Sequence, residues 1–281
     1  MMTETKARLR LLGTHWRTRS QAELGWVEEW FDLKPDETGF VALHLWNVGD
    51  VNGPPIPEDV LEFSGTKPCI EESIRIADRY IAPAIRAARA VGLPILHVEP
   101  AFIARKYDSV RHMLLDCELA PPPAEPMPPE VNPGWVRQVS ARCYGDNYWS
   151  WSKRAQEQMD VIASCKPEPG DQMVLTGRQL DSICRSKGIK NLVYTGFNTN
   201  MCILSSAAAT QEMLRYGYRI FLIREATIAV EYPETLDEQL VTQIALKYFM
   251  LKVGDTIGFR QFVDACRSVA ETRSLPFPLD L

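Results

Sequence analysis

Five short apolar runs, each separated from the next by a helix-periodic segment, constrain this chain more than any other feature. They are "GFVALHLWNV" (39–48), "LPILHVEP" (93–100), "DQMVL" (171–175), "NLVYTGF" (191–197) and "YRIFLIREA" (218–226). Continuous apolar runs of this length read as strands buried on both faces. Between and after them lie "EESIRIADRYIAPAIRAARAVG", "RQLDSICRSKG", "NMCILSSAAATQEMLRYG" and "ETLDEQLVTQIALKYFMLKVG". In the first of these, Ile74, Ala77, Ile81, Ile85 and Ala88 recur at helical spacing. Gly92, Gly188 and Gly217 close three helices in the manner of C-caps. Strand–helix–strand units with right-handed crossovers predict an α/β protein. The expected fold is three-layered, with a Rossmann-like central parallel β-sheet and helices on both faces.

Two regions depart from the rhythm. Residues 1–38 carry Trp16, Trp26 and Trp30 among charges and read as an N-terminal arm, leaving 39–281 as the α/β domain. Within that domain an insertion at about 107–169 is proline-rich and then aromatic, with Trp135, Tyr144, Tyr148, Trp149 and Trp151. A connection this long is commonly a lid or binding segment, and its aromatic content predicts ordered contacts. Exposed tryptophans in the arm and insertion predict a homo-oligomer, dimer or tetramer.

Charge narrows the function classes. A formal net charge of -5 opposes nucleic-acid binding, which needs a basic face. No apolar run reaches the ~20 residues of a membrane span, and the N-terminus lacks the apolar core of a signal peptide. Seven scattered cysteines without a CxxC pair suit reduced thiols in a cytoplasmic protein rather than a disulfide framework. No GxGxxG follows a strand and no GxxxxGK[ST] is present, so no nucleotide cofactor is expected.

One cysteine sits where the fold concentrates chemistry. Ligands of open parallel sheets bind outside the carboxyl ends of the strands. The strand "NLVYTGF" ends there, and "NTNMC" places Cys202 in the first turn of the next helix. Unsatisfied amides and the positive end of the helix dipole favour a thiolate at such a position. The same amides can receive an oxyanion when the thiolate attacks a carbonyl. Asn198, Thr199 and Asn200 are N-cap residues by type. A small residue filling the helix–sheet interface fits the same spacing equally well.

The segments "GFVALHLWN", "RAARAVGLPILHVEP", "PEPGDQMVL" and "LDSICRSKGIKNLVYTGFNTNMCILSSAAATQEMLRYGYRIFLIREATIA" follow, in order, the pattern of the isochorismatase-like cysteine hydrolases. The resemblance covers roughly residues 39–229. It implies an α/β hydrolase, commonly oligomeric, acting on small amides or, in isochorismatases, a vinyl ether. It further implies Cys202 as nucleophile, a cis peptide between Phe197 and Asn198, and oxyanion amides at Cys202 and Asn198. Thr199 and Met201, flanking the nucleophile, join the implied substrate-binding set, as do Asn47 and Arg178.

The rest of the family's Asp–Lys–Cys set does not carry over. "A-L-H-L-W-N" puts His44 where the catalytic Asp belongs and leaves Asn47 matching the family's Asn. The segment that holds the Lys is shortened, Arg178 is the nearest basic residue, and Lys166 precedes its strand and is expected at the wrong end. A Cys–His pair can still hold and relay a proton. The leading expectation is therefore hydrolysis of a small amide-type (C–N) or related substrate by Cys202 with His44 as base. The alternative is a catalytically inactive relative that binds a small ligand or partner in the same pocket. Some relatives hold a metal after the second strand, but here His97, Glu99 and His112 are poorly spaced and Ala101 stands where a His is needed. No metal site is expected. Glu225 and Glu231, after the fifth strand, are expected to cap or brace that loop.

Overall fold

The computed structural model describes residues 7–18, 24–56, 65–107, 134–145 and 147–278, with backbone alone at 135–137 and 140. The N-terminal arm turns out to be part of the sheet. β1 (Leu9–Arg17) and β2 (Gly25–Leu33) pair antiparallel from Leu9↔Leu33 to Arg17↔Gly25. The signal was period-2 alternation: Leu9, Leu11 and Leu33 are buried in the core, while Trp26 and Trp30 stand exposed on the other face. Trp16 meets Trp26 edge to face at 4.6 Å, as a directly opposed cross-strand pair.

The central strands are shorter than the apolar runs that encode them. β3 (Thr38–Leu43) stops because His44 takes a left-handed conformation, φ 53°. Along it Phe40 and Ala42 enter one core and Val41 and Leu43 the other, so both faces are covered. Helix α1 (Lys67–Ile76) passes through a π-helical turn (Ala77–Ile81) into α2 (Ala82–Ala90). The single helix expected there is interrupted because Pro83 has no N–H to continue the ladder. Then follow β4 (Ile95–Val98), the short α3 (Ala101–Ala104), α4 (Trp135–Tyr144), α5 (Tyr148–Gln158), β5 (Gln172–Val174) and α6 (Gly177–Lys187). From the insertion, α5 buries Tyr148, Trp151 and Ala155 in the core. His112, Cys117 and most of the proline-rich stretch lie outside the described residues.

β6 (Asn191–Gly196) leads to α7 (Cys202–Ser205) and α8 (Thr210–Arg215), where one continuous helix was expected. Three local bonds break it. Ser206 Oγ donates back to the Cys202 carbonyl at 2.8 Å, buried Tyr194 donates its hydroxyl to Ala208 O, and Glu212 accepts from Ala208 N–H. β7 (Arg219–Ile223), α9 (Leu240–Lys252), β8 (Asp255–Ile257) and α10 (Phe259–Arg273) complete the described elements. Gly92, Gly188 and Gly217 all take the positive φ of a C-cap.

The sheet order is β2-β1-β8-β7-β6-β3-β4-β5. Strands β3 to β8 are mutually parallel, and the hairpin joins β8 antiparallel at Thr14↔Thr256. The sheet is thus mixed, not wholly parallel, with helices around it. Connections leave β3 toward β4 and leave β6 toward β7, so the topological switch point lies between β3 and β6. A crevice opens at such a point, at the carboxyl ends of the two strands.

Candidate active site

The ends of β3 and β6 meet without room for a side chain. Gly196 has φ 121°, and a Cβ there would lie 1.9 Å from Leu43 O. Phe197 N–H donates to the same carbonyl at 3.0 Å, and the Phe197–Asn198 peptide is cis. His44 and Phe197 therefore leave neighbouring strands side by side.

After the cis bond, a tight turn presents Cys202. Asn198 O accepts from Met201 N–H and Ile203 N–H, at 3.0 and 3.2 Å. The loop after β7 braces the turn from outside. Gly196 and Thr199 donate to Ala226 O and Ile228 O, Val230 N–H donates to Asn200 Oδ1, and the hydroxyls of Thr199 and Thr227 lie 2.7 Å apart. Glu231 caps α9 through Val241 and Thr242, and Glu225 accepts from Phe259 N–H at the start of α10. Both carboxylates have the bracing role expected of them.

Cys202 is partly exposed. Cys69, Cys165, Cys184 and Cys266 are buried, and burial pushes the thiols of Cys165 and Cys184 up to about 12. Those four have the environment of inert core thiols. Met201 is exposed beside the nucleophile position. Asn198 is buried, its Nδ2 has no partner among the described residues, and its N–H donates to no backbone carbonyl among them. Thr199 is fully buried with its N–H and hydroxyl committed inside the protein, so it shapes the turn.

His44 follows β3 with its N–H on Val98 O. Its ring stacks on Trp46, centroids 5.0 Å apart, and Nδ1 is buried without a hydrogen-bond partner among the described residues. Burial holds its pKa down to about 4, so the imidazole is neutral at neutral pH.

Glu99, weighed from the sequence only as a metal ligand, has a bracing role. It directly follows β4, is buried, and accepts Leu45 N–H on Oε1 and Trp46 Nε1–H on Oε2, both at 2.9 Å. It thereby fixes the segment whose Trp46 ring supports His44. Burial pushes the Glu99 carboxyl up to about 8, against the pull of those two donors. A carboxylate directly after an apolar strand was the available signal.

The remaining expected residues lie around this centre. Asn47 is buried; Oδ1 accepts from Asp160 N–H at 2.8 Å and Nδ2 donates to Asn52 O, so its side chain holds two loops together. Lys166, expected at the wrong end of its strand, extends its ammonium to Asp160 at 2.9 Å, and Asp160 pairs through its backbone with Asn47 beyond the end of β3. Arg178 is exposed at the start of α6, where the adjacent Gly177 packs closely against Glu212 of α8. His97 is buried beside Asp171 at 3.5 Å, and both Glu99 oxygens already face N–H donors, so this pair does not fit a metal. Among the described residues no three His, Cys, Asp or Glu side chains converge on a metal position, and no helix is long and apolar enough to cross a membrane.

The two buried groups give opposite pH signatures. His44 resists protonation in the native state, whereas the unfolded chain takes up the proton near 6.5. Its contribution is full above about 6.5 and declines as pH falls toward about 4, by up to about 3 kcal/mol. Glu99 binds its proton more tightly when folded, so its contribution declines as pH rises from about 4.5 to about 8. Urea denaturation across pH 4–9 should show the acid-side loss vanish in His44→Asn. The alkaline-side loss should vanish in Glu99→Gln.

Comparison with known proteins agrees with this architecture. Residues 61–250 match the isochorismatase domain family model. The chain is 25% identical over 179 residues to the ureidoacrylate amidohydrolase RutB of Pantoea ananatis, covering 61% of this chain and 62% of that protein. It is 27% identical over 195 residues to RutB of Pseudomonas savastanoi pv. phaseolicola, covering 62% and 64%. These matches span less than two thirds of either relative. A cysteine hydrolase from Pseudomonas syringae pv. phaseolicola has the same fold, with TM-score 0.52, 14% identity, and coverage of 84% of this chain and 95% of that one. β6 and the Cys202 turn fall within the matched residues while β3 and His44 precede them, and the chain belongs to the isochorismatase family.

Proposed function

We propose that the protein is a hydrolase of small amide-type substrates, with Cys202 as nucleophile and His44 as base. The observation that carries this reading is a partly exposed Cys202 at the start of α7, in the turn that follows β6 at the switch point. The Cys202 Sγ attacks the amide carbonyl carbon while His44 takes the thiol proton. The N–H groups of Asn198 and Cys202 receive the oxyanion. The C–N bond then breaks as His44 returns the proton to the departing nitrogen. Water attacks the thioester, releasing a carboxylate and restoring the thiol. The similarity to ureidoacrylate amidohydrolases favours ureido or carbamoyl compounds as the substrate class. Screening carbamoyl and primary amides for turnover that disappears in Cys202→Ala tests the proposal.

A second reading is favoured by the His44 ring, which stacks on Trp46 and is costly to charge. In that reading the pocket binds a small molecule without turning it over. Saturable binding of panel compounds without product formation would select it.

The exposed Trp26 and Trp30 support self-association through the hairpin. Light scattering at micromolar concentration should return at least a dimer mass, and Trp30→Lys should lower it; a monomer mass for the unsubstituted chain contradicts this assembly.

A further inference from the structure

A polar cavity of about 380 Å³ opens between α1, the π-helical turn, the loop after β7 and α9. Arg75, Arg79 and Arg224 line it, against only two carboxylates, Glu72 and Glu225. Arg75 is paired with Glu72, and Arg224 lies 3.5 Å from Glu225, which is itself held by Phe259 N–H. That leaves one guanidinium over. Arg79 meets no carboxylate among the described residues; its guanidinium lies over the Tyr80 ring at 5.3 Å.

The backbone accounts for this arrangement. Arg79 and Tyr80 belong to the π-helical turn, which changes the register of side chains along the helix and turns both toward the cavity. The cavity also lies beyond the carboxyl end of β7, the edge at which parallel sheets bind ligands. Thr227 lines it and is hydrogen-bonded to Thr199 of the nucleophile turn, while Cys202 is not one of its lining residues.

We infer that this cavity binds a small anion, a molecule bearing one carboxylate or phosphate group, at Arg79 with support from Arg75 and Arg224. Guanidinium forks match both anions bidentately, and the surplus of one positive charge suits a single anionic group. The volume admits a small metabolite-sized ligand. This site is distinct from the Cys202 pocket and does not depend on the proposed hydrolysis.

Calorimetric titration of the full chain at low salt with inorganic phosphate and, separately, succinate tests it. At least one should bind saturably, and which one saturates tells phosphoryl from carboxylate recognition. Arg79→Gln should weaken that binding about tenfold to a hundredfold. Cys202→Ala should leave it unchanged, which keeps this result independent of the catalytic reading. Arg79 is exposed, and an unaltered unfolding midpoint verifies that its variant is folded. Absence of saturable binding by both anions, or binding unmoved by both Arg79→Gln and Arg75→Gln, overturns the inference.

Discussion

Replacing Cys202 by alanine is expected to lower amide turnover by about 10³-fold or more, because it removes the sulfur that forms the covalent intermediate. The neighbouring position predicts a graded series. His44→Asn retains the shape of the ring's polar edge but cannot carry the proton, and should cost about 10²–10⁴ in kcat. Bringing a proton onto His44 costs about 3 kcal/mol relative to a solvated histidine, judged from a pKa of about 4. A substrate that develops an oxyanion beside the ring offsets part of this cost, so turnover should depend on the base only when the substrate is bound. If His44→Asn turned substrate over as fast as the unsubstituted protein, His44 would be a packing residue on Trp46 and the base would have to be sought elsewhere.

The second large effect is on stability. Glu99→Ala is expected to destabilise the fold by about 2–4 kcal/mol. The substitution leaves Leu45 N–H and Trp46 Nε1–H without acceptors in a buried place, each costing about 1–3 kcal/mol, offset in part by removing a poorly solvated carboxyl. Glu99→Gln keeps one acceptor oxygen and should lose roughly half as much. A shift in urea midpoint at constant m-value measures both. An unchanged midpoint in Glu99→Ala would mean that water replaces both bonds and that the segment is not fixed by Glu99.

Much of the fold was legible because its strands are buried on both faces. Runs such as "NLVYTG" have no polar face to confuse with a helix, and the three C-cap glycines mark helix ends chemically. The hairpin was harder: "LRLLGTHWR" and "GWVEEWFDL" alternate, but their charges and exposed tryptophans resemble a surface arm, and the face that reaches the core is carried by Leu9, Leu11, Leu33 and the partly buried Phe31. β8 is three residues long and carries no periodicity of its own. The break between α7 and α8 depends on tertiary partners, Tyr194 and Glu212, that no local pattern exposes.

The site was legible where it follows from strand ends. The cis bond implied at Phe197–Asn198 is present, and Cys202 follows β6 at the carboxyl edge. Residues fixed by pairings distant in sequence were not. Asn47 is engaged by Asp160, which lies 113 residues away, and Glu99 acts on Leu45 and Trp46 across 54 and 53 residues.

The central claim is that Cys202 forms a covalent bond with the carbonyl carbon of its substrate. Intact-mass spectrometry during turnover of the best compound from the carbamoyl and amide panel, followed by peptide mapping, addresses it most directly. An acyl or carbamoyl adduct is expected on the Cys202 peptide, formed and lost at the rate of turnover and absent in Cys202→Ala. Product formation that continues in Cys202→Ala, with no adduct on that peptide in the unsubstituted protein, would contradict it.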